Sequence, residues 1–493
     1  MKYDYDVIVL GGGAAGLTSA GLAASFGAKT ALIEARKLGG DCTWYGCVPS
    51  KALLQAAKIS HLFNSSEKYG IVGQKSEINI EKVLSKVHSI QNHIYNDADH
   101  PDIYKKLGIE VINAKGKFLD RNKILITNQD DNSEKIISGK FIFISTGSSP
   151  FIPPIKGISE IDYLTNENIF SIKELPKELL VVGGGPIGCE MAQAFLRLGS
   201  KVSIVDMSDR ILNNDDSEHS EILKKSLEEE GITFHLKTVV EEFIKDGNKI
   251  KVKLTKEGKS TFYQFDKVLI SSGRKPNIMN LDVEKVGIKF TNKGIITDQS
   301  GRTNIKNIFA VGDCAGSFQF THYAEHMAKK TMSTALLKIP FKFEPQNIVW
   351  STYTDPEVAH VGLTRVELEK KKIKYKIYRF PFAKIDRAIT ESNSNGWIKV
   401  YAKEFNGKIY GVDIVGTNAG EMINEFALAI KNNISLRKIA DTIHAYPTYM
   451  LGNRRVADQW YVQKQSRTFV KILKMLFGYR GNLPDLSERG RIV

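Results

Sequence analysis

Residues 5–34 read YDVIVLGGGAAGLTSAGLAASFGAKTALIE. Tyr5 to Leu10 is an apolar run, as expected of a strand buried on both faces of a parallel sheet. GGGAAG follows at once, and the small residues after it predict a helix from about Leu17 to Phe26. The segment KTALIEA is a second strand, reaching the acid Glu34. This is a βαβ unit with the glycine fingerprint of a dinucleotide site. The design returns at residues 178–206, where ELLVVGGGPIG precedes a helix and KVSIVD ends in Asp206. Glu34 and Asp206 each stand 23 residues after the first glycine of their loop, Gly11 and Gly183. One fingerprint is a weak signal; two in the same register predict two dinucleotide sites.

Just beyond the first unit lies GGDCTWYGCVPSK, residues 39–51, with Cys42 and Cys47 five apart. The chain holds four cysteines in 493 residues, so the pair is no part of a disulfide scaffold. Beside a dinucleotide site it reads either as a redox relay or as two buried structural thiols. In an ideal helix, positions i and i+5 are ~7.5 Å apart along the axis. A disulfide needs Cα atoms ~4.4–6.8 Å apart. A bridge therefore requires a distorted helix, and Gly46 and Pro49 are the residues expected to distort it.

Outward from these units the chain alternates helix and strand. A charged helical region spans about Ile80 to Leu107, and residues 123–145 read as a hairpin ending in Ser145-Thr146-Gly147. Pro150, Pro153, Pro154 and Gly157 mark a linker. A second hairpin turns at Glu257-Gly258, and NIFAVGDCAG, residues 307–316, is one more buried strand ending at Gly312-Asp313. From about Phe343 the character changes. The strands IVWSTY, YKIYRF, GWIKVYA and IYGVDIVG alternate with helices at about Ala419–Asn432 and Ser435–Asp441, as in a separate α+β domain.

Composition bounds the function class. A length of 493 residues suits several domains. Apolar content of 42% and charged content of 25% are those of a globular protein. The net charge of +14 is read as a lysine-rich surface. No basic run with interleaved aromatics resembles a nucleic-acid module, so no nucleic-acid partner is expected. No apolar stretch approaches the ~20 residues of a membrane span, and the start has no secretory pattern. The sparse cysteines fit a cytoplasmic location, and no metal site is expected.

The motifs together resemble the FAD-containing class I pyridine nucleotide–disulfide oxidoreductases. They stand in family order from about Tyr5 to Gln463: GGGAAG, GGDCTWYGCVPSK, STG, GGGPIGCE, SSGRKPN, AVGDCAG, FTHYAEH, TYTDPEVAHVG and HAYPT. The resemblance implies an α/β fold of two Rossmann-like domains and a C-terminal α+β dimerisation domain. It implies FAD-binding segments at 1–150 and 273–342, an NAD(P)-binding domain at 151–272, a dimerisation domain at 343–465 and a tail at 466–493. It places FAD at Gly11, Gly13, Gly16, Glu34, Thr146, Gly147 and Asp313, and the nicotinamide nucleotide at Gly183, Gly185, Gly188, Asp206 and Gly273. Electrons would pass from NADH to FAD, then to a Cys42–Cys47 disulfide through Cys47, releasing Cys42 as the interchange thiol. Lys51 and Glu190 would meet beside the flavin. Cys189 and Cys314 are read as structural. A homodimer is implied, with a small-molecule electron acceptor.

Two positions refine this. Asp206 would repel a 2′-phosphate, Met207 follows it, and Arg210 is the only arginine nearby, so NADH is expected over NADPH. The family's disulfide reductases place a His before Pro-Thr and a Glu five residues later. Here those places hold Tyr446 and Leu451. A free Tyr has a pKa of ~10 and is a poor base near neutrality. His444 could take the role, but with no orienting acid apparent. Tyr446 and GGDCTW point to the mercuric-reductase branch, yet no cysteine follows Cys314 to hand over a metal. The acceptor is thus left as a disulfide, a quinone or a metal ion, with a non-catalytic flavoprotein subunit the weakest reading. The tail from Ser466 to Asn482 reads as a basic amphipathic helix with Lys471, Lys474 and Arg480. It is suited to packing on a partner or to peripheral contact at the inner face of a membrane.

Overall fold

The computed structural model describes residues 2–72, 77–316, 318–344, 347–464 and 467–481. Two compact units emerge. The first comprises the chain up to Gly183, Met191–Val205 and Thr238–Phe343; the second comprises Gly184–Glu190, Asp206–Lys237 and the chain from Glu344.

In the first unit, strand β1 (Tyr5–Leu10) leads through Gly11–Gly13 into helix α1 (Ala14–Ser25) and then strand β2 (Thr30–Glu34). The helix starts three residues before the expected Leu17. Ala14 and Ala15 have no bulk to keep the chain extended, and Gly13 ends the strand-like backbone at φ −80° and ψ −172°. Short helix α2 (Gly40–Trp44), helix α3 (Cys47–Asn64) and helix α4 (Ile80–Ile94) follow. Strand β3 (Glu110–Phe118), strand β4 (Lys123–Asn128) and strand β5 (Glu134–Ile144) complete the layer. β1 lies between β2 and β5, β3 flanks β2, and Ile308–Ala310 flanks β5, all parallel. β4 joins β3 and β5 as an antiparallel ladder, which contains the expected hairpin. Val7, Ile8, Val9, Leu32, Ile142 and Phe143 are fully buried, as strands covered on both faces require.

The presumed linker begins with structure: strand β6 (Ser148–Pro150) pairs antiparallel with Arg274–Pro276. Pro150 is tolerated because this ladder is only three residues long and has no further neighbour. Strand β7 (Glu178–Val182) lies between Lys201–Asp206 and Lys267–Ile270, all parallel. The hairpin at Glu257-Gly258 is present, joining Lys249–Lys256 to Lys259–Phe265.

The second unit holds a five-stranded antiparallel sheet ordered Val349–Thr352, Glu357–Gly362, Ile409–Gly416, Trp397–Ala402, Lys376–Pro381. Its core joins Tyr378, Val400 and Ile414 of the sheet to Phe426, Val456 and Trp460 of two helices. Among the elements that the sequence did not announce are the strand Glu357–Gly362 and the helices Ser217–Glu230 and Leu451–Lys464.

Candidate active site

The first glycine loop is built by close approach. Gly11 has φ +103°, and a Cβ there would lie 2.4 Å from the Ser145 carbonyl oxygen. A Cβ on Gly16 would lie 1.8 Å from the Gly11 oxygen, so α1 can start this close only with glycine. Gly13 differs: its Cβ would meet nothing nearer than Gly40 Cα at 3.8 Å. α1 has no side-chain cap and no acid in its first turn, so its leading N–H groups and dipole stay available to an anion. An open glycine at an uncapped helix start fits the pyrophosphate of a dinucleotide. Glu34 braces the loop, accepting from Gly12 N at 2.6 Å and Arg36 N at 2.7 Å. Those bonds leave lone pairs on both oxygens for ribose hydroxyls.

Thr146, Gly147 and Asp313, expected from the sequence, continue this wall, braced by Ser145, Ser148 and Asn277, to which the sequence assigned no role. Ser145 Oγ donates to the oxygens of Leu10 and Gly11 at 2.9 and 3.0 Å. Thr146 Oγ1 donates to Asn277 O at 2.6 Å, and Asn277 Nδ2 returns a bond to Thr146 O at 3.0 Å. Gly147 has φ +67°, and a Cβ there would meet nothing within 4 Å, which again leaves open space. Asp313 accepts from Ser148 Oγ at 2.6 Å, and its burial raises its pKa.

The second loop repeats the device. Ser271 Oγ donates to the oxygens of Val182 and Gly183, both at 3.0 Å. Gly183 has φ +111°, and a Cβ there would sit 2.6 Å from Ser271 O. Within the second unit, Asp206 accepts from Gly184 N at 2.7 Å and Ser208 N at 2.8 Å. Gly185 faces open space, and Pro186 opens the helix Pro186–Arg197, where a missing N–H costs nothing. The loop beyond Asp206 is pinned by Asp215, which accepts from Trp350 Nε1 at 2.8 Å, and by Asp216, which pairs with buried Lys399 at 2.7 Å. Gly188 lies on the helix and Gly273 has φ +116°.

Cys42 lies in the middle of α2, and Cys47 opens α3. The break falls at Tyr45-Gly46, where Gly46 takes φ −125° and ψ −108°. Gly46 therefore supplies the expected distortion, but Pro49 does not. Pro49 sits in the first turn of α3, where no helical N–H bond is lost. From the other side Gln91 Nε2 donates to the oxygens of Thr43 and Trp44 at 3.0 and 2.8 Å, satisfying the end of α2.

The two thiols hydrogen-bond to each other. That bond, with Thr321 Oγ1 at 3.4 Å and the charge of Lys51 one turn on, pulls the Cys47 pKa down to about 6. The same bond and burial push Cys42 up. The bond thus sets the two apart, favouring thiolate at Cys47 and thiol at Cys42. Cys189 and Cys314 are wholly buried, and burial raises both, Cys314 to about 11. Glu190 is buried and accepts from Tyr353 N at 2.9 Å.

The acid found missing beside His444 is present on another helix. Glu425 Oε1 lies 2.9 Å from His444 Nε2, and Asn453 Nδ2 donates to its other oxygen at 2.9 Å. Nδ1 faces Thr442 O at 3.0 Å. Both ring nitrogens thus face acceptors within their own chain. Tyr446 is 68% exposed, and its bond to the Asp386 carboxylate raises its pKa, making it a poorer base still.

Comparison with known proteins agrees with this geometry. Residues 5–328 match the family "Pyridine nucleotide-disulphide oxidoreductase", and residues 348–453 match its dimerisation domain. A mercuric reductase of Lysinibacillus sphaericus is 31% identical over 92% of this chain and 82% of its own. A dihydrolipoyl dehydrogenase of Bacillus subtilis is 31% identical over 91% of this chain and 96% of its own. In fold, the chain is similar to the crystal structure of LpdA from Mycobacterium tuberculosis. The TM-score is 0.85 at 24% identity, covering 92% of this chain and 99% of that one. The chain belongs to the pyridine nucleotide–disulphide oxidoreductases and is an FAD-dependent oxidoreductase that uses NAD(P)H.

Proposed function

We propose that this enzyme takes electrons from NADH to a Cys42–Cys47 disulfide and on to a small-molecule disulfide or related acceptor. The carrying observation is the dithiol: two thiols across a helix break, bonded to each other, with Lys51 one turn away. FAD, when bound, supplies two-electron transfer between nicotinamide and disulfide. Gly11, Gly13, Gly16 and the first amides of α1 would hold its pyrophosphate, Glu34 its ribose, and Thr146, Gly147 and Asp313 its other end. Gly183, Gly185, Gly188 and Gly273 would hold NADH, with Asp206 on the ribose. Lys51 would balance negative charge on the reduced cofactor, and Glu190 is assigned to the same chemistry from its place after the second glycine loop.

In net terms NADH gives up a hydride equivalent and the S–S bond breaks. The proton stays on Cys42 as a thiol and the electron pair on Cys47 as a thiolate. Cys42–H, Thr321 and Lys51 hold that thiolate. NADH is preferred because Asp206 repels a 2′-phosphate and Met207 offers no charge. Arg210 is tied to Asn213 O at 3.1 Å.

A second reading concerns the acceptor. His444 is committed to Glu425 and Thr442, and Tyr446 is a weak base, which favours an acceptor needing no proton relay, such as a soft metal ion. A panel of disulfides, quinones and mercuric ion, assayed with wild type and Cys42→Ser, separates these. Turnover of disulfides that Cys42→Ser abolishes supports the first reading; quinone turnover indifferent to Cys42 would overturn it.

The tail supports a membrane-surface role. Arg467–Phe477 is helical, with Met475 at 78% and Leu476 at 64% exposure beside Lys471 and Lys474. A cytoplasmic enzyme could rest this helix on the inner face of an anionic membrane. The expected result is loss of anionic-vesicle binding on deleting residues after Gln465; unchanged binding would end the idea. Among the described residues no helix is long and apolar enough to cross a membrane.

A further inference from the structure

Asp41 stands next to Cys42, and its negative charge disfavours thiolate at both cysteines. Its carboxylate is held tightly. Oδ1 takes Arg274 Nη2 at 3.0 Å and Asn166 Nδ2 at 3.1 Å. Asn166 also donates to Tyr45 O at 3.2 Å, at the helix break itself. The other oxygen, Oδ2, lies where a Cβ on Gly46 would come within 2.8 Å. The Asp41 side chain is thus folded under the turn that brings the two cysteines together.

Arg274 is fixed from behind. Its Nε donates to Ser148 Oγ at 2.7 Å, and its Nη2 donates to Ser148 O at 3.0 Å. Asp313 Oδ2 accepts from the same Ser148 hydroxyl at 2.6 Å and lies 3.8 Å from Arg274 Nε. The guanidinium is only 12% exposed, so its charge is weakly screened. One cation on the β6 ladder is shared between two carboxylates, one beside the dithiol and one beside the dinucleotide wall. Lysine could not reproduce this fork of donors.

We propose that Asp41 and Arg274 are positioning residues that clamp the dithiol loop, with Arg274 cancelling the Asp41 charge beside the cysteines and anchoring the helix break to the β6 ladder. The proposal rests on the reading of Cys42 and Cys47 as the working pair. The charges that act on the thiols are Asp41 on α2 and Lys51 on α3, with Arg274 on the ladder paired to Asp41; Thr321 adds a hydroxyl and Gln91 of α4 is neutral.

The test uses FAD-loaded full-length protein, its thiols reduced chemically. Iodoacetamide labelling of Cys42 and Cys47 is followed by peptide mass spectrometry across pH. Arg274→Gln raises the labelling midpoint by roughly one pH unit, and Asp41→Asn lowers it by a similar or smaller amount. The double variant returns close to wild type, because each change removes the other's effect. Arg274→Lys keeps the midpoint but loses the anchor. It therefore re-forms the Cys42–Cys47 disulfide several-fold more slowly after oxidant is added. If Arg274→Gln does not fold, Asp41→Asn alone decides by its downward shift. Midpoints within about 0.2 unit of wild type in every variant, or a double variant that keeps the full rise of Arg274→Gln, overturn the clamp. Labelling needs no NADH, so failure of the clamp and failure of the redox reading appear in different experiments.

Discussion

The two glycine loops are close copies in backbone and unlike in what is attached to them. In each, a serine just past the end of a neighbouring strand, Ser145 or Ser271, bonds the last strand oxygen and the first glycine oxygen. In each, an acid 23 residues beyond the first glycine takes the second glycine's N–H. In each, the third glycine faces open space. Beyond that they diverge. The first loop is followed by α2, the dithiol and α3, and the second by a loop pinned through Asp215 and Asp216. On the proposed reading, nucleotide binding is a repeated backbone device, while redox chemistry depends on one interrupted helix.

The largest expected effect comes from breaking the shared device. Gly16→Ala puts a Cβ 1.8 Å from the Gly11 oxygen, so folded, FAD-loaded protein should fall at least roughly tenfold in yield. Gly13→Ala and Gly185→Ala, whose Cβ atoms enter open space, should leave the fold intact. The first should empty the protein of FAD; the second should raise the NADH KM with FAD retained. Flavin absorbance and KM check these outcomes.

Next comes the feature only the first loop has. Cys42→Ser or Cys47→Ser should cut NADH-driven disulfide reduction by about 10³-fold or more. A smaller test targets the second loop alone. Asp206→Asn removes a charged acceptor worth about 1.5–3 kcal/mol, so kcat/KM for NADH should fall roughly 10–100-fold while NADPH use rises relative to it. The smallest effect is a pH profile. With its pKa drawn down to about 6, Cys47 is thiolate above that pH and thiol below it. Its alkylation rate should climb from about pH 5 to about pH 7 and flatten well before the ordinary thiol range near ~8.5.

The repeated fingerprints and the dithiol were legible because their residues are contiguous, and glycine is dictated where backbones touch. The partner of His444 was not, because Glu425 lies 19 positions away on another helix and only tertiary packing joins them. Arg274 and Asp41 are separated by most of the first unit. The strand Glu357–Gly362 carries the buried polar His360, paired with Asp413, which blurs its apolar pattern. The helix Leu451–Lys464 has a polar start, Asn453 to Arg455, that hides its buried face of Val456, Ala457 and Trp460. Pro49 was misread because its effect depends on where the helix restarts, and Gly46 sets that point.

Counting thiols puts the electron route itself to the test. Oxidised, FAD-loaded protein is mixed anaerobically with one equivalent of NADH and alkylated, and the labelled cysteines are identified. Cys42 and Cys47 should be unlabelled before NADH and both labelled after it, with buried Cys189 and Cys314 unlabelled throughout. Flavin reduction by NADH with Cys42 and Cys47 still joined would contradict a route through the dithiol.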